Sequence, residues 1–516
     1  METLMAIDCG TQSIRAMLFD FHGNLLYKSK IEIEPYKSPK PGWAEQDPLY
    51  YWENLCAACQ QLWEICDIKP EIKGVSLTTQ RSTLVNVDKD GKPLRPAIHW
   101  LDQRRIAQEQ VMNPVMNLIY RAVKMDYAVQ FAHAECEANW IKKNQPEIWE
   151  QTHKYLFLSG YLSYLLCGEF VDSVGCQVGY VPFDYKNLKW AKKGHLNRKL
   201  FPIEMDKLPV LVEQAQELGR ISKLAAKATG IPEGTPIIAA AADKACEILG
   251  SGSFKPNIAC LSYGTTCTTS IMSPNYLEVI PFIPPYPSAV PKTYNTEIQI
   301  FRGFWMVSWF KEEFGHPEKE LAFKNNVSAE SLFDELVQEI QPGSLGLMLQ
   351  PYWSPGVKIP GPEAKGAIIG FGDVHGRAHI YRAILEGLVY SLREGTEKTE
   401  KRSKIKINEV RVSGGGSQSD QAMQITADIF NLPTIRSNTF ETSGLGAAID
   451  CAVGLGVHPN FPTAVQEMTK IGRIFEPNPH NAELYNALYQ RVYKKMYKHL
   501  KALYESIREI TGYPEQ

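Results

Sequence analysis

Three glycine-centred turns and a few acids carry most of the chemistry this sequence can do. Asp8-Cys9-Gly10-Thr11-Gln12-Ser13 is a short polar run between two apolar stretches, Leu4–Ile7 and Ile14–Phe19. Its glycine lets backbone N–H groups approach an anion with no side chain in the way, and Thr11, Gln12 and Ser13 add side-chain donors. Asp8 is an acid beside this anion site, an arrangement that makes sense with a cation such as Mg²⁺ between them. A plain hairpin with a polar turn is the other reading of the stretch. Ile258–Ile271 repeats the pattern. With Gly264 laid over Gly10, Thr265 falls on Thr11, Thr266 on Gln12 and Ser262 on Asp8. Gly414-Gly415-Gly416 is the third turn, bare enough for a flat base to lie against its backbone. Two phosphate hairpins and such a loop suit a nucleotide held between two domains.

Asp243 follows four alanines at the end of an apolar strand pattern, where functional carboxylates often stand in α/β folds. Ionised at neutral pH, it can take the proton of a hydroxyl that attacks a γ-phosphate. The competing reading is an N-cap for the helix that starts near Ala245. Gln80-Arg81-Ser82 and Trp100-Leu101-Asp102 each follow a strand-like segment. Their Gln, Arg and Asp can bond several hydroxyls, and Trp100 can cover the carbon face of a sugar. Ordinary loop polarity is the alternative. The GxxxxGK[ST], HExxH, GxSxG and GxGxxG motifs do not occur.

The elements that must hold these residues follow from periodicity. Leu4–Phe19 reads as strand, turn, strand, and Leu25–Glu34 continues the meander. Leu49–Cys66 is a helix, and its Cys56 and Cys59 read as packing residues. Gly74–Thr79 and Ile237–Ala242 are strands, Cys176–Phe183 looks extended, and Gly250-Ser251-Gly252 looks like a linker. His379–Ser403, Gln421–Phe430 and Gly444–Gly454 are helices. The chain closes with a helix over Asn481–Ile510, whose Leu484, Leu488, Val492, Met496, Leu500 and Leu503 mark one apolar face.

At 516 residues the chain is too long for one core, and we expect two domains, 1–252 and 253–516. A net charge of −2 gives no basic excess to argue for nucleic acid, and no apolar run reaches the ~20 residues of a membrane helix. Eleven scattered cysteines read as reduced thiols, so a cytoplasmic protein is expected.

Taken in order, Asp8-Cys9-Gly10-Thr11, Ala242-Asp243, Tyr263-Gly264-Thr265-Thr266, Ser413–Gly416 and Thr442–Ala448 resemble the motifs of the FGGY carbohydrate kinases, in the sugar kinase/actin/Hsp70 superfamily. Tyr161–Asp184 and Gly346–Glu386 are similar to further stretches of that family. The resemblance implies an α/β fold of two actin-like (ribonuclease H-like) domains with the active site in the cleft between them. It implies ATP and Mg²⁺, with Asp243 as general base and Asp8 positioning the metal. Gly10, Thr11, Gln12, Gly264, Thr265 and Thr266 would hold phosphates, and Gly414, Gly415 and Gly416 would line the adenosine site. Gln80, Arg81, Trp100 and Asp102 would bind a small sugar or polyol. A sugar acid as acceptor, or an actin-like ATPase without sugar kinase activity, are the alternatives, and a homodimer is possible. Departures from the family pattern are Glu137, where Lys is frequent, Phe371, where a smaller aliphatic is usual, and Ser82, where glycerol kinases have Glu.

Overall fold

The computed structural model describes residues 1–67, 70–108, 112, 114–122, 126–281, 283–354 and 360–513. Two sheets organise the chain. The first holds β1 (Glu2–Cys9), β2 (Ser13–Phe19), β3 (Leu25–Glu32), β4 (Glu71–Thr79), β5 (Glu217–Arg220) and β6 (Pro236–Ala239), in the order β3-β2-β1-β4-β6-β5. The second holds β7 (Ile258–Tyr263), β8 (Cys267–Ser273), β9 (Tyr286–Pro287), β10 (Tyr294–Ile300), β11 (Glu409–Ser413), β12 (Thr434–Ser437) and β13 (Ile471–Phe475). Its order is β9-β10-β8-β7-β11-β12-β13.

Five strands of each sheet agree in order and direction, β3-β2-β1-β4-β6 in the first and β10-β8-β7-β11-β12 in the second. In each, a three-stranded antiparallel meander is followed by two parallel neighbours and one antiparallel edge strand. The duplication read from Gly10 and Gly264 therefore extends to these five strands; β9 has no counterpart in the first sheet, and the edge strand β5 precedes its neighbour in the chain whereas β13 follows its own.

Each sheet has its own core. α1 (Pro48–Ile65), capped by Asp47, buries Leu55, Cys59 and Leu62 against the first sheet; all eleven cysteines are free. α3 (Arg377–Ser403) covers the second with Leu385, Leu388 and Leu392, beside α4 (Asp420–Phe430).

Between the sheets lie α2 (Asp243–Gly250) and α5 (Thr442–Gly454), each the helix that follows the fifth strand of its repeat. Cys246 and Leu249 of α2, Leu445, Ala448 and Ile449 of α5, and Leu4, Met17 and Phe19 of the first sheet form one cluster. The helices approach backbone to backbone. A Cβ on Gly250 would lie 2.7 Å from Gly446 N, and one on Gly446 would lie 2.7 Å from Cys246 Cα. Gly250 thus ends a helix and serves close packing, where a linker was expected.

Three other expectations change. After Val174–Cys176, a 3₁₀ turn, only Phe183–Asp184 is strand in the stretch expected to be extended. The stretch Pro114–Gly168, whose sequence pattern reads as mostly helical, contains a strand, Lys154–Phe157, that completes a small sheet with Leu84–Val87. The closing helix runs as α6 (Pro479–Leu488), a π-turn over Tyr489–Tyr493, and α7 (Lys494–Thr511). Of the predicted face, Met496 is buried and Leu488, Val492 and Leu500 pack against the core, while its end residues Leu484 and Leu503 are exposed; Tyr485, Tyr489 and Tyr493 are buried beside them. Among the described residues no helix is long and apolar enough to cross a membrane.

Candidate active site

The two glycine hairpins, β1–β2 and β7–β8, and the start of α2 meet in the cleft. Asp8 is the penultimate residue of β1, with a side chain only 5% exposed. Arg15 Nη1 donates to its Oδ2 at 2.9 Å, while Oδ1 is buried with no hydrogen-bond partner. Burial lifts the Asp8 carboxyl to about 7; Arg15 opposes the rise, and the charges of Asp243 and Glu441 add to it.

Asp243 is the first residue of α2, and the N-cap position belongs to Ala242. The capping reading is thereby replaced by another placement. Asp243 Oδ1 accepts the backbone N–H of Lys244 at 2.7 Å. Burial raises its pKa above the ordinary carboxylate value, against the pull of Arg81 and Lys244.

The next turn of α2 reaches the second hairpin. Lys244 Nζ donates to Ser262 Oγ at 2.5 Å and to Glu247 Oε2 at 2.8 Å. Glu247 Oε1 accepts from Ser262 Oγ at 2.8 Å and from Ser413 Oγ at 2.7 Å. Burial would raise Glu247, but Lys244 and the two serines outweigh it and hold its carboxyl low. One helical turn therefore connects Asp243 to the ends of β7 and β11.

Hairpin geometry is fixed by the backbone. Gly10 N–H bonds Ser13 O at 3.0 Å, and the side chain of Gln12 is exposed. In the second hairpin Gly264 O and Thr265 O accept the N–H groups of Phe304 and Gly303, at 3.0 and 2.9 Å, and Thr266 Oγ1 bonds Phe301 O at 3.2 Å. Gly414 has φ 83° and sits on the backbone of Tyr263, where a side chain would collide. Gly415 faces open space, and Gly416 lies under the ring of Phe304. The third glycine turn is thus laid directly against the second.

Beside the first hairpin, Thr11 Oγ1 donates to Gln80 Oε1 at 3.0 Å and accepts from Trp100 Nε1 at 3.1 Å. The hydroxyl expected to hold phosphate here joins the Gln80–Trp100 wall. Arg81 reaches across to the second half: its fork bonds Glu297 at 3.0 and 3.2 Å, 5.3 Å from the ring centre of Tyr286. Asp102 points elsewhere. Its oxygens accept from Arg104 Nε and Nη2, both at 2.7 Å, from Arg104 N, and from Ala44 N at 2.6 Å. Arg104 itself lies against both Trp43 and Trp140, whose rings meet edge to face. With four donors already placed, Asp102 holds the loop that carries Trp100.

Among the described residues no group of three or more His, Cys, Asp and Glu side chains could cage an ion. The orphaned Asp8 Oδ1 fits one carboxylate contact to a hydrated Mg²⁺, an ion that keeps several waters and is otherwise held by phosphates.

Family models for the N-terminal and C-terminal domains of the FGGY family of carbohydrate kinases match residues 3–250 and 259–455. The chain belongs to the FGGY family of carbohydrate kinases. It is thus an ATP-dependent sugar or polyol kinase. It is 30% identical to an uncharacterized sugar kinase, YgcE, of Escherichia coli, over 98% of this chain and 96% of that one. It is 29% identical to the xylulose kinase of Lactococcus lactis, over 95% of each. The gluconate kinase of Lactobacillus acidophilus superposes with a TM-score of 0.82 at 21% identity, covering 98% of this chain and 99% of that one.

Lys244, Glu247 and Glu297 were not foreseen as site residues, and Ser413 was foreseen only as the start of the third glycine motif. Lys244 and Glu247 had a signal, three residues apart on the helix that Asp243 begins. Glu297 had none, because only the packing of the two halves brings it to Arg81.

Proposed function

We propose that this FGGY kinase transfers the γ-phosphate of ATP to a hydroxyl, a terminal one, of a small sugar or polyol, with Asp243 as general base. The observation that carries this is the course of α2: its first residue is a half-buried carboxylate near Asp8, and its second bonds the hairpin of the other half. Phosphoryl transfer asks for positioning and charge neutralisation more than for covalent help. The Asp243 carboxyl, lifted by burial, is the better proton acceptor for a hydroxyl aimed at the cleft.

Backbone N–H groups of the Gly10 and Gly264 hairpins grip the phosphates, with Gln12, Thr265 and Thr266 beside them. Gly414, Gly415 and Gly416 line the adenosine. Asp8 would hold hydrated Mg²⁺, which supplies neutralisation of phosphate charge when bound. Gln80, Arg81 and Trp100 face the acceptor. Because each half supplies one hairpin, closure of the halves excludes water. The eleven free cysteines suit a reducing compartment, the cytoplasm. The acceptor is not read from the backbone: a relative named for xylulose and a structure named for gluconate share this fold. An ADP-release screen over ketoses, polyols and aldonates with ATP and Mg²⁺ tests the reading. Acceptor-dependent release supports it, and ATP hydrolysis indifferent to every acceptor overturns it in favour of an actin-like ATPase.

A further inference from the structure

An ion pair between the two halves lies beside Asp243 on the acceptor side. Arg81 comes from the loop after β4 and Glu297 from β10, in the other half. Their bond is bidentate, and the side chains are 19% and 6% exposed. Tyr286 covers the guanidinium, and its own neighbour across the strand pair is Asn295. Asn295 is buried, and its Oδ1 has no hydrogen-bond partner. Arg81, Lys244, Tyr286, Asn295 and Glu297 line one small cavity of about 10 Å³, room for a single water. The Arg81 charge is felt at Asp243, whose carboxyl it draws down against burial. This is a polar subsite next to the base, with donors, an orphan acceptor and an aromatic wall.

Resting on the kinase reading, we propose that Glu297 is a specificity-determining residue that sets the charge of this subsite to zero, so that it takes an uncharged ketose or polyol and turns away a sugar acid. A free arginine fork beside the base would be a ready carboxylate receptor, since two parallel N–H···O bonds match that geometry. Glu297 fills the fork. A carboxylate-bearing acceptor must either displace it, leaving a buried acid unpaired, or sit against it as a like charge. Hydroxyls meet no such penalty, because Glu297 can accept from them while it holds Arg81.

The test is a charge series at this pair, read as the ratio of kcat/KM for D-gluconate to kcat/KM for the best neutral acceptor among D-xylulose, D-arabinitol, erythritol and glycerol. Glu297→Gln frees the positive charge and is expected to raise the ratio by about 10- to 100-fold, the effect of a hydrogen bond to a charged group. Arg81→Met leaves the acid alone and is expected to lower it below the wild-type value. The double variant Arg81→Met/Glu297→Met is neutral again and returns the ratio toward wild type, even if one single variant folds poorly. A purely structural role would lower all rates without ordering the ratio by charge. A ratio that ignores the charge series, or a wild-type enzyme that prefers gluconate, overturns the proposal while leaving the kinase reading intact. Absence of turnover on every acceptor overturns the kinase reading and this inference with it.

Discussion

Lys244 Nζ lies 2.5 Å from Ser262 Oγ, and Ser262 holds in the second hairpin the penultimate strand position that Asp8 holds in the first. One repeat thus keeps an acid facing the cleft, and the other presents a hydroxyl to a lysine from its partner half. The bond ties α2 to the second phosphate hairpin and sets how the base faces the nucleotide.

Lys244→Met should therefore act on the nucleotide side. It removes the cation that holds Glu247 low and leaves that buried acid to two serines. Loss of hydrogen bonds to charged groups corresponds to about 1.5–3 kcal/mol. Initial-rate kinetics should show kcat/KM for ATP reduced by about 10- to 100-fold, with a smaller change in KM for the acceptor. An unchanged ATP term would detach Lys244 from the site.

Gly446→Ala should destabilise the protein. The added Cβ meets the backbone of Cys246 in α2, which cannot move like a side-chain tip. Overpacking of this kind costs about 1–3 kcal/mol or more, seen as a lower midpoint in thermal unfolding. Gly415→Ala is the contrast: no atom lies within 4 Å of its Cβ. Its stability should stay within about 0.5 kcal/mol of wild type, with the effect appearing in ATP affinity instead.

Asp450 predicts a pH dependence. It lies on α5, fully buried, and neither carboxylate oxygen has a partner. Burial raises its pKa far above the usual value in the folded state. The unfolded chain ionises near pH ~3.9 while the folded chain keeps the proton. The folded state is therefore least penalised below that pH and loses stability as pH rises toward the folded pKa, at about 1.4 kcal/mol per unit. Asp450→Asn cannot ionise, so its stability relative to wild type should grow steadily from pH 5 to pH 7 in denaturant titrations. A constant difference across that range would show that Asp450 is ionised or solvated in the folded protein.

Asp8→Asn should raise the Mg²⁺ requirement. Oδ1 is the orphaned buried acceptor at the first hairpin, and an amide binds a hard cation less well than a carboxylate. At fixed ATP, half-saturating Mg²⁺ should rise by about tenfold or more, with the acceptor KM little changed. A Mg²⁺ curve that overlays wild type would place the metal elsewhere.

What the sequence made legible was whatever chemistry writes locally. Gly10 and Gly264 announced both hairpins because a bare turn between apolar strands has few other uses, and Asp243 stood out at the end of an alanine-rich strand. Relationships between the halves were not legible. Gly250 resembled a linker because its reason for being glycine is Gly446, almost two hundred positions away along the chain. Glu297 sits in a strand whose burial pattern says nothing of Arg81. The contacts of Asp102 with Arg104 were not legible either, because the cluster of Trp43, Arg104 and Trp140 assembles only on folding. The apolar face of the closing helix was legible at Leu488, Val492, Met496 and Leu500, whereas the buried tyrosines Tyr485, Tyr489 and Tyr493 beside it were not.

The most direct measurement is turnover of Asp243→Asn alongside nucleotide binding by calorimetry. The amide keeps the shape of the side chain but cannot take a proton, so kcat with the true acceptor should fall by about 10²- to 10⁴-fold while ATP affinity stays close to wild type. Near-normal turnover in a variant that still binds ATP would contradict Asp243 as the base.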